Sequence, residues 1–559
     1  MAQLIDAGIP AAPDMDAVAQ RYRAFERALQ PGSPAAWLAT FREWDELRRE
    51  LVTWSALTHL RFTQDTRDER ARAARERLDE LKPAITGFDN GMKRRFVESG
   101  DRGQLAAAFG EHAFRLWETD LATFDPAVEP DLVVEAKLEA EYTQLIAGIE
   151  VDFGGETLNL SALGRYASDP DRDRRHGAAA ARWSALGERA AELDRIFDEL
   201  VHVRDGIARK LGFASFAELG YARMQRIDYD RAAVERYRDT VAKEVVPLAS
   251  AIAQRAADRH GAAHLALWDE RLLAAAPAPQ PLGDASWIMQ RTIETFTDLD
   301  ANLGAFARMM EGNELTDLVA RPGKAGGGYC TELVTYGVPF IFANFDGTKG
   351  DISVLMHEFG HAFQGYRSRY KPVIDYLTPT MEAAEVHSMS LEYLTWPYME
   401  RFFGGGAQTY REGHLSEALL FLPYGVAVDH FQHLVYERPN ATPAERHAMW
   451  QSMEKRYLPW RTYGDLECPA RGAFWQSQLH IYRAPFYYID YTLALCCALQ
   501  MWASAYEDRA GTFARYVELC GRGGEAAFGN LIGSAGLTSP FEPGALARVV
   551  ARAKDVLGC

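Results

Sequence analysis

The sequence predicts a mainly α-helical molecule of at least two lobes with one small β-hairpin, and three observations predict it. From Met15 to about His260, apolar residues recur at three- and four-residue intervals between charged ones, the period of amphipathic helices. With 559 residues, 48% of them apolar, the chain holds more core-forming material than one compact domain usually contains. At Gly326 the pattern changes to β-branched and aromatic runs, the composition of strands.

The helical period is clearest in "LDELKPAITGFDNGMKRRF" (78–96), in the run from Arg174 to Gly212, and in the run from Arg231 to Gly261. Gly212 and Gly261 stand where helices end, because glycine adopts the left-handed conformation of a C′ residue without a Cβ penalty. "YASDPDRD" (166–173) has turn chemistry ahead of a long helix and divides the chain into 1–165 and 166–559. "AAAPAPQPLG" (274–283) reads as an exposed loop, and no repeat of 20 to 50 residues is present. In "GGGYCTELVTYGVPFIFANFDGTKGD" (326–351), two runs split at Tyr336-Gly337 and closed at Asp346-Gly347 read as a hairpin. Pro339 cannot donate to a ladder, so the second strand is expected at a sheet edge or to begin there. An open edge could take up an extended peptide.

The formal charge of −17 argues against nucleic acid as a partner, since phosphate binding needs a basic surface. No stretch approaches the roughly 18 apolar residues of a membrane span, and the N-terminal residues lack the charged and apolar blocks of a secretory signal. A cytoplasmic protein without membrane contact is expected. The six cysteines lack metal or disulfide spacing and read as reduced thiols, Cys330 alone lying close enough to the next motif to suggest redox sensitivity.

That motif is "HEFGH". On a helix, His357 and His361 share one face and can bind one ion, while Glu358 sits about 100° around. A carboxylate so placed can take a proton from water that a zinc ion has brought to a pKa of about 7. Two histidines need a third ligand. The extended motif that supplies a third histidine needs glycine at 364 and histidine at 367, where this chain has Gln364 and Arg367. The helical stretch "TMEAAEVHSMSLEYLTW" offers Glu382, Glu385, His387 and Glu392. Glu385 and Glu392 share a stripe with Met389 and Trp396, and acids on a mostly apolar stripe need a partner. His387 falls on another face; spacing alone leaves Glu382 and Glu385 both open.

From Gly326 onward the chain resembles the M3 zinc peptidases, thimet oligopeptidase-like enzymes, and within them the oligoendopeptidase F-like branch. "NFDGTKGDISVLMHEFGHAFQ", "TMEAAEVHSMSLEYLTW" and "HIYRAPFYYIDY" carry the resemblance. It implies Glu385 as third ligand, through the pattern completed by Ser388 and Glu392, and one Zn2+ per chain. It implies Glu358 as general base, Tyr488 as oxyanion donor, and His480 and Tyr491 as substrate-binding groups, with the division of roles among Tyr487, Tyr488 and Tyr491 left open. His387 stands where many relatives have proline. The resemblance further implies an N-terminal helical domain (1–165), a catalytic domain (166–559), and two lobes enclosing a deep channel. The implied reaction is cleavage of internal bonds in oligopeptides.

Two other readings compete. Glu358-x-x-His361 and Glu199-x-x-His202 could build a helical di-iron carboxylate protein, which would leave His357 unused. A peptide-binding protein that has lost catalysis would not need Glu358. His430 and His433 form another possible metal pair, but no partner motif accompanies them.

Overall fold

In the computed structural model, which describes residues 8–30, 32–273 and 277–559, helices supply nearly all of the regular structure. The helices needed below are α1 (Met15–Ala28), α2 (Pro34–Gln64), α3 (Glu69–Val97), α4 (Glu129–Ala147), α5 (Arg172–Glu188), α6 (Ala190–Lys210), α7 (Val246–Arg259), α8 (Ala285–Leu299) and α9 (Ala301–Gly312). They continue with α10 (Lys349–Ser368), α11 (Met381–Leu394), α12 (Ala407–Glu437), α13 (Pro443–Tyr457), α14 (Tyr488–Ala505) and α15 (Arg509–Arg522). The strands needed below are β1 (Glu150–Phe153) and β2 (Glu156–Asn159), which pair with each other, and β3 (Thr316–Val319), β4 (Tyr329–Leu333) and β5 (Val338–Phe345).

Helix boundaries follow local chemistry. Asp14, Asp68 and Asp171 each accept hydrogen bonds from backbone N–H groups in the first turns of α1, α3 and α5. Gly212 and Gly261 have φ of 84° and 65° just beyond the caps of α6 and α7, as their positions in the sequence predict. Residues 277–283 of the expected loop carry no regular structure; 274–276 lie outside the described residues.

The chain forms two compact units, each assembled from three stretches. The first comprises the described residues of Met1–Leu121, Pro279–Ala407 and Cys497–Leu537; the second comprises those of Ala122–Ala278, Gln408–Cys496 and Thr538–Cys559. We keep the division at 165/166 as a proposal about sequence modules, distinct from these units.

The first unit has an aromatic core where α1, α2 and α3 meet. Trp44 stacks on Phe96 with ring centroids 5.3 Å apart and meets Trp117 edge-on at 5.6 Å, all three fully buried. Arg48 crosses this core to bond Asp375 at 2.5 Å, tying α2 to the turn that follows α10. The same unit holds a three-stranded sheet in the order β3-β5-β4. The split at Tyr336-Gly337 is confirmed by a single helical turn and Gly337 at φ 64°. Of the two placements expected of the second strand, the structure takes the start beside Pro339: β5 begins at Val338 and is the central strand rather than an edge, parallel to β3 and antiparallel to β4, which are the two edges. Pro339 is tolerated because β5 begins at Val338 and its ladder with β3 starts only at Ile341.

Beyond β5 the chain turns into α10. Thr348 caps the helix by accepting from Gly350 N–H, and the Asp351 carboxylate accepts from the N–H groups of Asp346 and Gly347. Helix α10 then packs against α11 with its backbone close. A Cβ on Gly360 would lie 2.5 Å from Ser388 Cα and 2.7 Å from the His387 carbonyl oxygen. Gly360→Ala is therefore expected to destabilise the unit by about 1–3 kcal/mol. A thermal melt would show the loss.

In the second unit, buried guanidiniums are matched by carboxylates. Arg204 bonds Glu135 at 2.6 Å and Glu139 at 3.0 Å, Arg238 bonds Asp429 at 2.7 Å, and Arg226 bonds Asp490 at 2.5 Å. Arg226 also donates to the Phe486 carbonyl. The start of α14 is thus fixed by charge as well as by packing.

Candidate metal centre and catalytic groups

His357 and His361, one turn apart on α10, hold their rings edge to face with centroids 4.9 Å apart. Glu385 of α11 meets both: its Oε2 is 3.2 Å from His357 Nε2 and 3.6 Å from His361 Nε2. One donor atom from each of the three lies within 4.8 Å of the others. Of the two acids that spacing left open, Glu385 joins the histidines; Glu382 is buried on the same helix but outside the cluster.

Neighbouring groups fix the donors. The Ser388 hydroxyl lies 3.1 Å from Glu385 Oε2. Glu392, seven residues further along α11, accepts from His357 Nδ1–H at 2.8 Å, which leaves the Nε2 lone pair directed at the cluster. Burial alone would depress His357, but the carboxylates of Glu385 and Glu392 outweigh it and hold the imidazole well above its ordinary value. Burial likewise acts to raise Glu385, and hydrogen bonds from His357 and His361 hold it far below the usual carboxylate range. The cluster favours positive charge among its donors, and two nitrogens with one carboxylate oxygen match a zinc site that keeps a fourth position open. The residues fit such an ion.

Glu358 is 6% exposed and points beside the cluster. Burial raises its carboxyl, His357 and His361 only partly opposing the shift. Its Oε2 is buried with no hydrogen-bond donor among the described residues, the condition of a group that accepts a proton from something other than the protein.

The remaining candidates gather in the second unit. His480 lies 5.0 Å from Tyr488, 5.8 Å from Tyr487 and 5.9 Å from Tyr491, ring centre to ring centre. Tyr424 donates to Gln478 Oε1 at 2.7 Å and Gln478 Nε2 donates to His480 Nδ1 at 2.9 Å, which places the imidazole proton on Nε2. Burial, reinforced by Arg483, lowers the pKa of His480. Burial raises Tyr488, so its phenol stays protonated and able to donate.

Sequence reasoning missed Gly360, Gln478 and Tyr424. The small residue inside HEFGH was a usable signal for close helix contact. Tyr424 lies 54 residues from its partner Gln478 and gave none.

Other groups take structural roles. His430 Nδ1 pairs with the Tyr457 hydroxyl at 3.0 Å and His433 Nε2 with that of Tyr221 at 3.2 Å. His387 is fully buried, and burial lowers it to about 4, so it packs as a neutral ring. Glu199 bonds Arg195 on an exposed helix face and His202 bonds the Asp198 carbonyl, so neither is gathered into a second metal cluster. Burial drives the Cys330 thiol well above its ordinary value, contrary to what a reactive thiolate requires.

Two histidines of one helix, the glutamate beside the first of them and Glu385 from the next helix form a group that could hold a metal ion, the donor set a metallopeptidase needs. Two family models match, Peptidase family M3 over residues 165–542 and Peptidase M3 N-terminal domain over 11–124. The chain belongs to peptidase family M3. Among solved structures it is similar to a protein described as an oligoendopeptidase F, with 46% identity, 99% of this chain and 98% of that one covered, and a TM-score of 0.92. It is similar to PZ peptidase A at 42% identity, covering 99% of each chain, with a TM-score of 0.92. A protein described as an oligoendopeptidase F from Bacillus anthracis str. Ames matches at 40% identity over 98% of this chain and 97% of that one, with a TM-score of 0.87. No curated protein matches.

Proposed function

We propose that the chain is a zinc-dependent oligoendopeptidase that hydrolyses internal bonds of short peptides, with one Zn2+ per chain. The observation that carries this is the meeting of His357, His361 and Glu385 within 4.8 Å beside a buried carboxylate oxygen without a donor. Zinc, when bound, supplies Lewis acidity toward the scissile carbonyl and the attacking water.

The chain's own groups do the rest. His357, His361 and Glu385 hold the ion, and Glu392 keeps His357 in the tautomer that can bind. Glu358 takes the proton from the attacking water and returns it to the departing amine. Tyr488 donates to the former carbonyl oxygen as negative charge develops there. His480, with its proton on Nε2, and Tyr491 orient the substrate. Six cysteines in 559 residues, without disulfide spacing, support a cytoplasmic setting, and no described helix is long and apolar enough to cross a membrane.

Mass spectrometry of a peptide-library digest, with and without a chelator, tests the reading. Cleavage at internal bonds should stop on chelation and return with zinc. Two iron ions per chain would favour the di-iron alternative, and zinc binding without cleavage the peptide-binding one. Tyr488→Phe is expected to lower kcat by about 10²–10³-fold with little change in KM, because the donor acts mainly in the transition state. Steady-state kinetics check this; unchanged activity would move the role to Tyr487 or Tyr491.

A further inference from the structure

A cavity of about 350 Å³ lies within the second unit, between α5, the Leu267–Arg271 segment, and Phe474 and Ser477. Its walls are aromatic: Trp183 is buried with its ring 5.1 Å from Phe474, and Trp268 lines another side. Three arginines and one glutamate also line it. Arg175 is matched by Asp269 at 2.7 Å, and the lining carboxylate, Glu270, is held by Arg461 at 2.6 Å. Arg182 and Arg271 are left over. Among the described residues neither has a carboxylate within 4 Å, in a chain whose formal charge is −17.

Arg271 is exposed and says little alone, since surface arginines are often solvated. Arg182 differs. Burial depresses its guanidinium, and one hydrogen bond to the Leu160 carbonyl at 3.1 Å leaves most of its donors unused. A partly buried cation without a counter-charge is costly, and a planar acid is the partner that a guanidinium fork fits best. Arginines beside indole and phenyl walls ask for both an anion and an apolar body, within the size range of small-molecule sites.

We propose that this cavity binds an organic carboxylate with an aromatic or branched apolar body, namely the carboxyl-terminal end of a short peptide, through Arg182 and Arg271. The peptidase reading enters only in choosing a peptide end as ligand. Binding here needs no turnover, so its failure would leave that reading untouched.

The test is calorimetric titration of the full chain, freed of metal by a chelator so that no acid can ligate an ion. The probes are N-acetyl-Ala-Phe, its C-terminal amide, 3-phenylpropionate and inorganic phosphate. The free acid should bind at one site, at least about tenfold more tightly than the amide, and more tightly than 3-phenylpropionate or phosphate. Arg182→Met, which keeps the aliphatic stem, should weaken the acid by about tenfold or more. Arg271→Gln, at an exposed position that does not threaten folding, should weaken it by about threefold and decides the matter if Arg182→Met melts early. Equal binding of acid and amide, or two folded variants that bind like the parent, would overturn the site. Tighter binding of 3-phenylpropionate would overturn the peptide as ligand, and equally tight phosphate would overturn the role of the apolar walls.

Discussion

Glu358→Gln is expected to lower kcat by about 10²–10⁴-fold while KM and zinc content stay near those of the parent. The amide has the volume of the carboxylate and should settle into the same buried position. What it cannot do is accept a proton. Glu358 is not among the three donors that cluster, so the ion should be retained. Kinetics on an internally quenched peptide, paired with metal analysis of the same preparation, check both halves. Near-parental turnover would remove Glu358 from the mechanism.

Glu385→Ala should act in the opposite sense, on the ion before the chemistry. Removing the carboxylate leaves two imidazoles and a buried Ser388 hydroxyl, which do not make a stable site. Zinc affinity should fall by more than the roughly 10–100-fold that loss of a supporting partner costs. Glu392→Gln supplies that comparison, because Glu392 only orients His357. Competition against a chelating dye would rank the variants, with Glu382→Ala near the parent. Zinc bound by Glu385→Ala as tightly as by the parent would refute the ligand assignment.

Much of this centre was legible in the sequence because helical periodicity acts over short distances. The i, i+4 histidines and the stripe shared by Glu385 and Glu392 need only the geometry of one helix each. Bringing the two helices together is another matter. The choice between Glu385 and Glu382 depends on where α11 crosses α10, and that crossing is set by Gly360 meeting the His387 carbonyl and Ser388 Cα. That β5 is central was not legible for a related reason: β3, which covers the far side of β5, lies some twenty residues upstream and shows no pairing signal in its own four residues. The β1–β2 hairpin passed unread although Gly154-Gly155 marks its turn. The arginines that anchor the second unit find partners up to 278 residues away, as Arg204 does in the Tyr482 carbonyl.

The threefold segmentation of the first unit has a consequence for biosynthesis. Gly523, just past α15, seats against the Tyr376 carbonyl oxygen and the Ser368 side chain, and Tyr516 stacks on Phe363. A nascent chain that has already emerged with HEFGH and Glu385 still lacks the helix that backs them. Long-range closures of this kind slow folding and delay completion. Hydrolytic competence should arrive only once α15 has been made, so products terminated before it would be inert rather than unregulated proteases.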